Sequence, residues 1–239
     1  MVKFLYVTDI HGTRSIYERM FKLGKAPDID FIIFGGDLTS GINPRGQKFF
    51  LTFYLVPRLW IFRKRHKKTV FIMMGNDDYA SNSKILKKAD RCRVVRLIHN
   101  DIRKAGKTKV VGYPFINETP FLIKDWEKTE EEIENDLEYL SHEIDPNKTI
   151  YVFHAPPYNT KLDIMYNKQH MGSKSIRNFI EKEQPSISLH GHIHESPKMS
   201  GTIKQKIGKT LCINPGSGRI IKIDTEKMTV EKIEDTENF

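Results

Sequence analysis

The chain has 239 residues, 38% hydrophobic and 29% charged, with a formal net charge of +9. It is long enough to bury a substantial core as one domain over residues 1–239, and too apolar for a disordered tail. Its two cysteines, Cys92 and Cys212, exclude a disulfide framework and a four-thiolate zinc site.

Lys3 to Thr8 is β-branched and aromatic and ends in Asp9-Ile10-His11-Gly12, which predicts a buried strand running into a turn. Thr13 to Leu23 carries Ile16, Met20 and Leu23 at helical spacing, with Gly24 as a stop. Asp30 to Phe34 is a second apolar strand, ending in Gly35-Gly36-Asp37, and a helical segment follows as far as Pro57. Thr69 to Met74 is a third strand, ending in Gly75-Asn76-Asp77-Asp78. Ser83 caps a short helix with Ile85, Leu86 and Ala89. Val94-Val95 and Lys109 to Gly112 read as further short strands.

Thr129 and Glu132 form a capping box before a helix with Ile133, Leu137 and Leu140 inward. Thr149 to Phe153 is a strand ending at His154. A helix around Ile176, Phe179 and Ile180 precedes the strand Ile187 to Leu189, which leads into His190-Gly191-His192-Ile193-His194. The tail alternates over 203–207, 210–213, 219–223 and 228–233, as antiparallel hairpins do. Strand–helix alternation followed by hairpins predicts an α/β fold with mixed sheets and ligands beyond the strands' carboxyl ends.

Asp9, His11, Asp37, Asn76, His154, His192 and His194 all stand at such ends. They are oxygen and imidazole donors without a thiolate, a set that suits Mn²⁺, Fe or Zn²⁺. On extended backbone, residues two apart point the same way, so Asp9 with His11 and His192 with His194 could each grip an ion. Seven donors are too many for one ion and about right for two, with the Asp37 carboxylate bridging.

Asp9-x-His11, Gly35-Gly36-Asp37, Gly75-Asn76-Asp77-Asp78, His154 and Gly191-His192-x-His194 resemble, in order, the signature blocks of the calcineurin-like metallophosphoesterases. His154 to Tyr158, His190 to Ser196 and Asn214 to Ser217 resemble more narrowly the Icc-related archaeal and bacterial branch. The resemblance implies a four-layer αββα sandwich, two mixed β-sheets flanked by helices. It implies one divalent ion on Asp9, His11, Asp37 and His194, and a second on Asp37, Asn76, His154 and His192. Manganese is expected first, with iron, zinc and nickel open. A hydroxide bridging the ions would attack phosphorus in line, with phosphodiesters expected ahead of phosphomonoesters. A metal-binding module of low activity is the alternative.

The family's Gly-Asn-His block carries Asp77 in place of histidine here. The resemblance therefore implies a catalytic role for Asp77, with Asp78 raising its pKa, or a proton donor elsewhere, such as His11. Asn76, His154 and Tyr158 are expected to line the substrate site.

Phe49, Phe50, Phe53, Tyr54, Trp60 and Phe62 precede Arg63-Lys64-Arg65-His66-Lys67-Lys68. A helix packed on the sheet accounts for them; apolar residues on more than one face also suit a homo-oligomer contact over Phe49–Phe62. A second basic run, Lys84 to Lys109, has no interleaved aromatic residues, which disfavours nucleic acid and leaves phosphoester capture. No secretory leader or apolar span is visible, which points to the cytoplasm.

Overall fold

A computed structural model describes residues 2–40, 43–106, 108–120, 124–142 and 144–233. In chain order its strands are β1 Lys3–Val7, β2 Phe31–Gly35, β3 Thr69–Met73, β4 Arg96–Leu97, β5 Asp101–Ala105, β6 Thr108–Tyr113 and β7 Ile116–Asn117. They continue with β8 Glu127–Lys128, β9 Thr149–Phe153, β10 Ile187–Leu189, β11 Lys204–Ile207, β12 Thr210–Ile213, β13 Ile221–Asp224 and β14 Thr229–Lys232. The helices are α1 Arg14–Gly24, α2 Pro44–Phe49, α3 Val56–His66, α4 Ser83–Arg91, α5 Glu130–His142, α6 Lys174–Glu183 and α7 Ser196–Ser200.

Two six-stranded sheets form, ordered β14-β13-β1-β2-β3-β4 and β11-β12-β10-β9-β6-β5. In the first, β1 to β4 pair parallel out to one edge and β13 and β14 add antiparallel pairs at the other; in the second, parallel β12-β10-β9-β6 is flanked by antiparallel pairs on both sides. Strands buried on both faces read as continuous apolar runs, and the pleat divides β1 to β3 between two cores. Phe4, Tyr6, Phe31, Ile33, Phe71 and Met73 face Val110, Ile150, Val152, Ile187, Leu189 and Ile213 of the other sheet. Leu5, Val7, Ile32, Phe34, Val70 and Ile72 face outward, against Tyr17 and Met20 of α1, Leu59 and Phe62 of α3 and Leu86 of α4. The outer face of the second sheet, with Val111, Tyr151 and Phe153, lies under Ile133 and Leu137 of α5 and Ile176 and Ile180 of α6. Helices, two mixed sheets and helices again make the expected α/β sandwich.

The capping box is formed: Thr129 N donates to Glu132 Oε2 at 2.9 Å and Glu132 N to Thr129 Oγ1 at 3.2 Å. Elsewhere the elements differ from expectation. The helical segment does not stop at Pro57, which falls in the first turn of α3, where a missing N–H costs little. A π-helical stretch, Phe50–Leu55, joins α2 to α3. Val94 and Val95 are buried but precede the strand, which is Arg96–Leu97. The strand β5 lies inside the basic run and was not predicted.

The aromatic segment is divided. Leu51, Tyr54, Leu55, Leu59 and Phe62 are buried, whereas Phe49, Phe53, Trp60 and Ile61 are 42–67% exposed. Among the described residues, no helix is long and apolar enough to cross a membrane.

Candidate metal centre

The parallel register brings the ends of β1, β2 and β3 level, with Val7 opposite Phe34 and Gly35 opposite Met73. Beyond those ends the backbone is not extended. Asp9, His11, Asp37 and His192 have φ of 52°, 46°, 48° and 62°. For residues other than glycine this left-handed region costs about 1–2 kcal/mol each, and it collects at functional sites. Two-residue alternation therefore does not aim Asp9 and His11; interlocked loops do. Asp9 N donates to Gly36 O at 3.1 Å, Ile10 N and His11 N both to Asp37 O at 3.0 Å, and Gly12 N to Leu38 O at 3.0 Å. His192 N donates to Asp9 Oδ1 at 3.1 Å, tying the two sheets' loops together.

These loops assemble two overlapping donor groups. Ligand atoms of Asp9, Asp37 and His154 lie within 4.8 Å of one another, as do those of His11, Asp37 and Asp77. Asp37 belongs to both. Asn76 Oδ1 sits 2.9 Å from His154 Nε2 and 2.7 Å from His192 Nδ1. The His194 ring meets that of His11 edge-on at 5.9 Å between centroids. All seven strand-end residues are thus brought to one place.

Glycines permit the approach. A Cβ on Gly36 would stand 2.5 Å from His154 Nδ1, and one on Gly191 would stand 2.5 Å from Asp9 Oδ2. A Cβ on Gly75 would meet Asp37 Oδ1 at 2.4 Å and His154 Nε2 at 2.5 Å. These packing roles were not foreseen, although every one of these glycines flanks a predicted ligand.

Asp78 lies in the same loop with a different job. Its carboxylate accepts from Leu38 N, Thr39 N, Thr39 Oγ1 and Gly75 N at 2.8–3.1 Å, and the residue is fully buried. It clamps the Asp37 loop to the Asn76 loop. Burial, then the Asp37 charge, push its carboxyl up to about 6 against those bonds. Tyr158 is 36% exposed, with its ring beside Lys174 and His170. Those ring contacts turn it to the α6 side rather than to the cluster.

Both ring nitrogens of His154 face oxygen: Nδ1 is 3.1 Å from Gly35 O and Nε2 2.9 Å from Asn76 Oδ1. Burial opposes charging this ring. The Asp37 carboxylate 3.4 Å away, Asp9 and the Gly35 carbonyl outweigh it and hold the imidazole up at about 9. His192 goes the other way: burial, then the charge of His154, press it down to about 3. In the metal-free protein, His154 supplies positive charge that an ion would replace. Ion uptake at pH 7.5 should therefore release the Nε2 proton, and apparent affinity should rise about tenfold per pH unit up to pH 9. Calorimetry in buffers of different ionisation heat counts that proton; uptake without release between pH 7 and 8 contradicts the assignment. By the same linkage, His154 stabilises the metal-free fold below pH 6.5, and that contribution is lost as pH rises through 9.

The residues fit divalent cations. Asp9 is fully buried and its Oδ2 has no hydrogen-bond partner, a costly state for a carboxylate unless a cation answers it. Burial raises its pKa, and Asp37 adds to this against the pull of His154. Burial and Asp37 raise Asp77 as well. Three crowded carboxylates with oxygen and imidazole donors around them suit hard to borderline ions.

The model of the calcineurin-like phosphoesterase family matches residues 2–196. The uncharacterized protein MJ1162 of Methanocaldococcus jannaschii is 32% identical over 237 residues, covering 96% of this chain and 94% of its own. Two solved structures share the fold. A dimetal phosphatase from Danio rerio superposes with a TM-score of 0.58 at 10% identity, over 92% of each chain. An archaeal phosphodiesterase superposes with a TM-score of 0.51 at 13% identity, over 97% of this chain and 98% of its own. With the sandwich, the strand-end donors and the family match agreeing, this chain belongs to the calcineurin-like phosphoesterases, hydrolases of phosphoester bonds.

Proposed function

We propose that the protein hydrolyses phosphodiesters at a two-ion centre, with manganese as the working metal. The observation that carries this is the pair of donor groups sharing Asp37. Asp9, His11, Asp37 and His194 would hold one ion, and Asp37, Asn76, His154 and His192 the other. When bound, such ions act as Lewis acids and lower the pKa of water, supplying a nucleophile near neutral pH.

The protein's own groups set the geometry. The Gly35 carbonyl accepts from His154 Nδ1, which orients the ring and points Nε2 into the site. Asn76 is held between two imidazoles, so it cannot swing away from the phosphoryl position. The side chains of His11, Asp77 and His194 are 29%, 39% and 45% exposed, whereas Asp9, Asp37 and His154 lie beneath them. Substrate therefore approaches over His11 and Asp77. His11 Nδ1 faces Asp77, so with His11 on an ion its Nε2–H would donate a hydrogen bond to the leaving-group oxygen rather than surrender its proton.

The test is a substrate panel on protein stripped with chelator and reloaded with manganese, iron, zinc or nickel. An activated aryl phosphodiester should be cleaved at least about tenfold faster than the matching monoester, and fastest with manganese. Equal or faster monoester cleavage defeats the diester reading, and no metal dependence defeats the two-ion centre.

A further inference from the structure

We propose that Asp77 is itself a metal ligand, a third carboxylate on the ion held by Asp37 and His11, and that its charge favours monoanionic substrates. The inference rests on the two-ion reading above and assigns a residue that the reading leaves outside the ligand set.

The geometry is that of shared coordination. Asp77 Oδ2 stands 3.5 Å from His11 Nδ1, and one ligand atom each of His11, Asp77 and Asp37 lies within 4.8 Å of the other two. Two donors bound to one ion at about 2.1 Å are about 3.0 Å apart at an octahedral right angle and about 3.4 Å apart at the tetrahedral angle. The spacing of His154 Nε2 and Asp37 Oδ1, 3.4 Å, has the same character in the other group. A charge-assisted hydrogen bond would close to about 2.8 Å instead.

Asp77 is also held in place before any ion arrives. Its N–H donates to Asp37 Oδ1 at 2.8 Å, its carbonyl accepts from Gln47 Nε2, and its Oδ1 accepts from Asn76 Nδ2 at 2.9 Å. That leaves Oδ2 directed at His11. Asn76 meanwhile turns its own Oδ1 toward His154 and His192, so one amide links the two donor groups. Independently, the fully buried Oδ2 of Asp9 has no hydrogen-bond partner, and a cation in this cluster would answer it.

The consequence is electrostatic. Two divalent ions bring four positive charges, and Asp9, Asp37 and Asp77 return three negative ones. A neutral side chain at position 77 would return only two. The third carboxylate thus takes twice as much attraction from a doubly charged phosphomonoester as from a singly charged phosphodiester, which narrows the monoester's electrostatic advantage. It also adds a hard oxygen donor, which favours manganese over zinc.

The experiment titrates manganese into the metal-free, full-length protein and its Asp77→Asn variant by calorimetry, with thermal melting of the metal-free forms to verify folding. Asp77→Ser supplies the same comparison if the amide lowers folded yield. Wild type should take up two ions. The variant should bind one as before and the other at least about tenfold more weakly, losing the spin-coupled manganese signal at stoichiometric metal. Its monoester-to-diester rate ratio should rise at saturating metal. Two unchanged affinities in the variant overturn the inference and leave the two-ion reading standing; fewer than two ions in wild type overturn both. A residue that served only as a proton donor would slow turnover and leave the binding isotherm where it was.

Discussion

Asp37→Ala should cut phosphoester turnover by at least about a thousandfold and lower bound metal from two ions to one or none. Asp37 is the only residue in both donor groups, so its loss opens both at once. It also accepts from Asp77 N at 2.8 Å and is the carboxylate beside His154 Nε2. Without it, His154 keeps its burial and loses its main counter-charge, so its pKa should fall from about 9. Asp37→Asn is the sharper control. Asparagine tolerates the left-handed backbone at φ 48° and keeps the shape, so it isolates the charge. Metal analysis of the purified variants, with turnover on an aryl phosphodiester, reads both effects. Hydrolysis with full metal content in Asp37→Ala would reject the bridging role.

Gly75→Ala should do comparable damage by adding one methyl group. Its Cβ would stand 2.4 Å from Asp37 Oδ1, 2.5 Å from His154 Nε2 and 2.6 Å from Asp37 N. The last is backbone, fixed by the loop pairing between β1 and β2, and the His154 ring is fully buried. Neither can yield cheaply, so the methyl must push Asp37 and His154 apart. Overpacking of this kind costs about 1–3 kcal/mol of stability, and the same displacement should abolish uptake of at least one ion. Gly201→Ala is the comparison. Its Cβ meets nothing within 4 Å but its φ is 73°, so it should lose about 1 kcal/mol of stability through backbone strain with metal uptake intact. Normal metal content and turnover in Gly75→Ala would show that the close approach has no functional weight.

Much of this site was legible because parallel strands buried on both faces leave unbroken apolar runs. Phe31 to Gly35 and Thr69 to Met73 are plain in one dimension, and so are the glycine and polar residues that end them. The donor types carry their chemistry with them, and five such endings limit the function to a family. Asp78 was less legible. Beside Asp77 in sequence it passes for a second acid, and only its bonds to Leu38, Thr39 and Gly75 show a clamp. β5 was hidden because Asp101, Arg103 and Lys104 dominate its composition, while its pairing with β6 is what makes it a strand.

By itself the sequence determined the apolar strands, the longer helices between them, and a set of oxygen and imidazole donors at the strand ends, because hydrophobic period and residue chemistry are local properties. The tertiary structure decided that the hairpin of β11 and β12 joins one sheet and that of β13 and β14 the other. It also decided that left-handed loop residues rather than alternating strand residues aim the ligands, and that Asp77 faces His11. These depend on contacts such as His192 N to Asp9 Oδ1, between residues that share no local pattern and meet only when two sheets pack face to face.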